Sequence, residues 1–146
     1  GNAIISRMES APPSSMMIVP AIGLGKAIQY IQQIGIESIR AHELLLTRQA
    51  HTLLTDIPGL RIIGPEPERK GGIVSFVIDG IHPDDVSKAL DIQGIAVRAG
   101  HHFAMPLHER LGISASTRAS FYLYNTPDEV SRLANGLSEA KRILLR

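Results

Sequence analysis

Apolar residues recur along this chain with two spacings, and the spacings sort it into helices and strands. Over residues 20–34, Leu24, Ala27, Ile28, Ile31 and Ile34 fall three or four apart, which predicts an amphipathic helix. Pro20 suits its first turn, and Gly35 is a natural C-terminal stop. Residues 37–56 repeat the pattern with Ile39, Leu44, Leu46, Ala50, Leu53 and Leu54 on the buried side, ended by Ile57-Pro-Gly. Residues 60–63 read as a short strand, and 73–78 as the best strand in the chain because they are β-branched and aromatic-rich. Residues 83–91 read as a short helix with Asp84 and Asp85 in the first turn, where the helix dipole favours anions. Residues 95–98 and 118–123 predict two more strands, each with an arginine at its loop-facing end. Residues 126–145 predict a closing helix, with Thr126-Pro-Asp-Glu as a capping box. Val130, Leu133, Ala134, Leu137, Ala140 and Leu144 face inward in that helix, and Lys141, Arg142 and Arg146 sit at its cation-favouring end.

The predicted order is ααββαββα, which implies an α+β domain with helices packed on a small, mostly antiparallel sheet. That domain spans residues 20–146. Residues 1–19 are weakly patterned, and Ala11-Pro-Pro-Ser-Ser reads as a linker. A loose terminus is the preferred reading, although Ile4, Ile5 and Met8 are apolar enough to dock on a surface or a partner.

Composition narrows the function. A chain of 146 residues, 44% hydrophobic and 20% charged, can bury the core of one domain. A net charge of +1 gives no field that would attract nucleic acid or an anionic membrane. No apolar run has membrane-spanning length, and the first residues lack a secretory layout. The chain has no cysteine, which removes disulfides, thiolate metal sites and thiol nucleophiles, and fits a cytoplasmic protein.

The chemistry concentrates between Val97 and Tyr124. Arg98 and Arg118 face one loop, and two guanidiniums so placed make an anion site, because each grips a carboxylate through a planar fork. The loop also holds His101, His102 and His108, with Glu109 the nearby carboxylate. Adjacent histidines diverge on an extended chain, so local hydrogen bonding is preferred over a metal site, which needs three or four converging ligands. Glu66 with Glu68, and Asp84 with Asp85, read as solvated charges. Ile22-Gly-Leu-Gly lacks the spacing of a phosphate loop.

Two stretches, Arg98-Ala-Gly-His-His-Phe-Ala-Met-Pro and Thr117-Arg-Ala-Ser-Phe-Tyr-Leu-Tyr-Asn-Thr-Pro-Asp-Glu-Val, resemble the C-terminal part of cysteine desulfurases of the SufS/CsdA group. Those are pyridoxal-phosphate enzymes of the class-V aminotransferase family. The resemblance runs on through Gly136-Leu137 and, more loosely, back to Ile22-Gly-Leu-Gly. It implies the family's small C-terminal domain. Arg118 then matches the arginine that binds the substrate carboxylate, and Arg98 a second active-site arginine. Phe103 stands where the family has its nucleophilic cysteine, and a phenyl ring can neither attack sulfur nor carry a persulfide. Its ring is expected to pack on Met105 or a partner surface. The family anchors its cofactor on a lysine in a Ser-His-Lys context, which none of Lys26, Lys70, Lys88 and Lys141 has. The expectation is therefore a scaffold with no catalytic residue, cofactor or metal of its own. Its partners would be a second copy, a separate pyridoxal-phosphate domain or a sulfur acceptor. A non-enzymatic interaction module and a histidine-loop metal domain are the other readings.

Overall fold

The computed structural model describes residues 15–145. Its elements are α1 (Ser15–Ile34), α2 (Ile36–Thr55), β1 (Leu60–Ile63), a 3-10 turn (Pro67–Arg69), β2 (Ile73–Ile78), α3 (Pro83–Asp91), β3 (Arg98–Gly100), α4 (Met105–Arg110), β4 (Ser116–Ser120) and α5 (Pro127–Leu144). The expected α+β class holds. One four-stranded sheet runs in the order β1-β2-β4-β3, antiparallel at every pairing. No helix among the described residues is long and apolar enough to cross a membrane. The chain divides into two compact units between Ser38 and Ile39.

In the first unit, α1 begins at Ser15 rather than at Pro20, so Pro20 lies inside the helix and residues 15–19 are not linker. The rest of the expected linker, with Ile4, Ile5 and Met8, lies outside the described residues, as does Arg146. The apolar stripe of α1 is largely uncovered: Leu24, Ala27 and Ile28 are exposed, while Ile31 and Ile34 are half-buried. Gly35 ends the helix at φ 89°, a left-handed conformation open to glycine, and donates its N–H to the Ile31 carbonyl at 3.0 Å.

The second unit holds the core. Strand alternation sorts β2 into two faces: Val74, Phe76 and Ile78 are buried, while Ile73, Ser75 and Val77 are not. The register carries that division across the sheet, since Val74 faces Ala119 and Phe76 faces Thr117, both buried. Against this inner face pack Leu46, Ala50 and Leu54 of α2, Val86 and Leu90 of α3, and Val130, Leu133 and Leu137 of α5. Each fully buried aliphatic or aromatic side chain contributes about 1.5–3 kcal/mol. Leu44 and Leu53, expected inside, are half-buried, and Leu144 is exposed in the last turn of α5. The capping box of α5 forms as expected, with the Thr126 N–H donating to the Glu129 carboxylate at 2.8 Å.

Two glycines permit approaches that a side chain would block. At Gly136 in α5, an added Cβ would sit 2.6 Å from Ile95 Cδ1 and 3.0 Å from Leu90 Cδ2. At Gly72 it would sit 2.3 Å from the Phe121 carbonyl oxygen, where the Phe121 N–H already donates to the Gly72 carbonyl at 2.6 Å. A backbone oxygen cannot rotate away as a side chain can. Gly72→Ala should therefore cost about 1–3 kcal/mol, the usual penalty of overpacking. Thermal unfolding checks this, and an unchanged Tm would show that the Phe121 strand end yields freely.

Candidate functional site

The face of the sheet away from the core stays open. It carries Arg61 and Ile63 from β1, Ile73, Ser75 and Val77 from β2, Ser116, Arg118 and Ser120 from β4, and Arg98 from β3. Of these only Ser116 is buried. Arg98 and Arg118 stand directly opposite one another in the β3–β4 register, so their side chains leave the same face. The strand bounds differ from those expected. Residues 95–97 are not strand: the Ile95 N–H turns back to the Leu90 carbonyl at 3.0 Å, and the Val97 carbonyl accepts from Ser87 Oγ at 3.5 Å. Arg98 thus opens β3 rather than closing a strand, and Arg118 sits in the middle of β4 rather than at an end. Ser75 is the next residue in the same row, paired with Arg118 from β2. That neighbour was missed, because the register that brings it there is set by pairing and not by periodicity.

Residues 101–110 close one end of this face. Gly100, at φ 128°, turns the chain out of β3. His102 and Phe103 follow in left-handed conformations at φ 52° and 60°, uncommon for side chains of that size. Helix α4, absent from the expected loop, then lays His108 over Ser116. The His108 Nδ1–H donates to the Ala104 carbonyl at 3.0 Å, which leaves Nε2 to accept from Ser116 Oγ at 3.0 Å. His102 Nε2–H donates to the Ser116 carbonyl at 3.1 Å, and His101 is exposed. So the two inner histidines serve one serine, and among the described residues no three His, Asp or Glu side chains converge as a metal site requires. Of the two expected contacts for Phe103, Met105 or a partner surface, the chain itself does not bury the ring against Met105. Phe103 projects at 94% exposure beside the exposed Met105 and Leu107.

The electrostatics are one-sided. Burial holds the His102 imidazole below its ordinary range, and the neighbouring Arg118, His108 and Arg98 push it the same way. No carboxylate pairs with Arg98 or Arg118 among the described residues, and Arg118 Nε is buried with no hydrogen-bond partner. Such a donor set suits an anion. It does not suit the aldehyde of pyridoxal phosphate, which needs a lysine amine: Lys26 donates to Gln29, Lys88 pairs with Asp85, Lys141 donates to the Pro58 carbonyl, and Lys70 lies near Glu66 and His51. None of the four is among the charges acting on His102. The two acidic pairs picked out from the sequence are engaged elsewhere: Glu68 with Arg48 at 2.8 Å, Asp85 with Lys88, and Asp84 and Glu66 each facing a histidine.

The family model for class-V aminotransferases matches residues 13–133, most of the chain. The chain belongs to the class-V aminotransferase family. Within it, similarity is to cysteine desulfurases. A probable cysteine desulfurase of Streptomyces coelicolor is 51% identical over 125 residues, covering 85% of this chain and 30% of that protein. An apo cysteine desulfurase structure from Thermococcus onnurineus aligns with a TM-score of 0.81 and 38% identity, covering 85% of this chain and 31% of that one. The cysteine desulfurase CsdA of Escherichia coli aligns with a TM-score of 0.83 and 31% identity over 92% of this chain and 33% of that one. This class-V aminotransferase chain therefore spans about a third of the length of the curated relatives it matches.

Two half-buried histidines, His51 and His102, give the protein an acid-side sensitivity. Burial lowers both His51 and His102 from 6.5, so the unfolded chain takes up their protons first as pH falls. Their stabilising contribution is present above pH 6.5 and is lost as pH drops through their folded values. Tm should fall between neutral pH and pH ~5, and the double variant His51→Gln with His102→Gln should flatten that slope. Parallel pH profiles for the variant and the parent would assign the slope to other groups.

Proposed function

We propose that this chain is the small, C-terminal domain of a cysteine desulfurase-like protein, able to hold an amino-acid carboxylate but unable by itself to turn over L-cysteine. The observation that supports this reading is the in-register pair Arg98–Arg118 on the open sheet face, without an acidic residue in any of the four strands. In it, Arg118 takes the α-carboxylate through its planar fork and Arg98 lies one strand away. Helix α4 and His102 close one end of the face through their contacts with Ser116.

Sulfur removal from L-cysteine, which in desulfurases gives alanine and a protein persulfide for iron–sulfur assembly, needs two things this chain does not supply. One is a carbanion-stabilising cofactor with its lysine anchor. The other is a thiolate, and Phe103 stands at the position where desulfurases carry it. In this reading a pyridoxal-phosphate domain, on the same or another polypeptide, brings the cofactor and its lysine, whereas the thiolate comes only with a cysteine at position 103.

A second reading, that the chain serves as a docking module for a second copy or for such a domain, is favoured by α1. Ile18, Val19, Ile22, Leu24 and Ile28 stand exposed on it, and Phe103 projects from the loop.

The experiment is to incubate the purified chain with pyridoxal phosphate and L-cysteine and to measure alanine and sulfide. No product is expected; steady production would overturn the inactivity. The N-terminal two-thirds of the Streptomyces coelicolor relative is then added. With the Phe103→Cys variant the mixture should form alanine, and with Arg118→Gln as well it should fall by about 100-fold or more, the scale of losing a charged substrate contact. Light scattering on the chain alone checks the docking reading, which a strict monomer that binds neither partner would remove.

A further inference from the structure

We propose that the Arg98–Arg118 pair takes a dianion, an organic diacid or an amino acid whose side chain is itself acidic, with one acid group on each guanidinium. This rests on the carboxylate reading above and narrows it. The argument is one of charge and spacing.

Arg98 and Arg118 are Cα partners on adjacent strands, and like charges directly opposite in a sheet repel. A carboxylate in a neighbouring row would relieve such a pair, since opposite charges across strands attract. Here the four strands contain no aspartate or glutamate, and neither arginine has an ion pair among the described residues. His102 lies near enough to feel both guanidinium charges, and its partial burial disfavours a third cation there. A monocarboxylate cancels one of the two charges. Bridged between them, it leaves each fork half used. Two acid groups separated by one strand spacing, about 4.8 Å, cancel both and give each guanidinium a bidentate partner. A four-carbon diacid reaches that far. Ser75 extends the row on the other side of Arg118, and its half-buried hydroxyl makes no hydrogen bond among the described residues. It is positioned to donate to whichever acid group Arg118 holds, next to an Arg118 Nε that is buried without a partner.

Succinate and acetate are the probes, titrated into the full chain at matched ionic strength and followed by calorimetry. Succinate should bind about tenfold more tightly or better, the scale of one added charge-assisted hydrogen bond. That ratio should collapse towards one in Arg98→Gln. It should persist in Arg61→Gln, which removes a cation from the same face but not from the pair. Equal affinity for the two acids would overturn the dianion while leaving the carboxylate site standing. No binding of either acid would overturn both. A collapse in Arg61→Gln equal to that in Arg98→Gln would reduce the effect to attraction by a basic surface and overturn the pairing.

Discussion

Arg98 and Arg118 are held against their own repulsion. Two unit charges ~4 Å apart interact by about 1 kcal/mol in bulk water and by about 4 kcal/mol near a protein surface. Arg98 is exposed and its head is free to splay into water, so the cost at this pair lies towards the lower of these figures. The antiparallel register of β3 and β4 gives the two chains no way to separate them at the backbone, only to splay the heads. In the carboxylate reading proposed above, ligand recognition and charge balance are therefore the same problem.

The register survives because the other side of the sheet is well anchored. Val74, Phe76, Thr117 and Ala119 are buried beneath the helices, and a slip of one residue in β4 would exchange Thr117 and Ala119 for Arg118 in the core. Burying an unpaired guanidinium costs more than repelling another in the open, so the core fixes the arginines outward. The close contact of Gly72 with Phe121, and of Gly136 with Ile95 and Leu90, holds β4 and the segment before β3 at their ends. The histidine–serine contacts then tie the loop to the same strand.

Much of the scaffold was legible in the sequence, because helix and strand periods are local. The 3.6-residue pattern located α2, α3 and α5 closely, and the capping box at Thr126 formed as read. What escaped is what depends on distant partners. Residues 95–97 are apolar enough for a strand, yet they turn to hydrogen-bond with α3. Helix α4 is short and proline-bearing, with His108 as its buried residue, so no apolar stripe announces it. The stripe on α1 shows the opposite failure: periodicity marks a face and is silent on what covers it. The two arginines were singled out by residue type and position, but that they stand side by side, with Ser75 beyond, is a fact of pairing alone.

Phe103 sits at a left-handed tip with 94% of its surface in water. Its ring fills no hole, so its removal leaves none, and the backbone around it is set by Gly100 and the His102 tie rather than by the ring. Phenylalanine and cysteine codons differ by a single base. The identity of the residue at this tip can therefore drift in either direction through one mutational step, while the architecture beneath it registers no change.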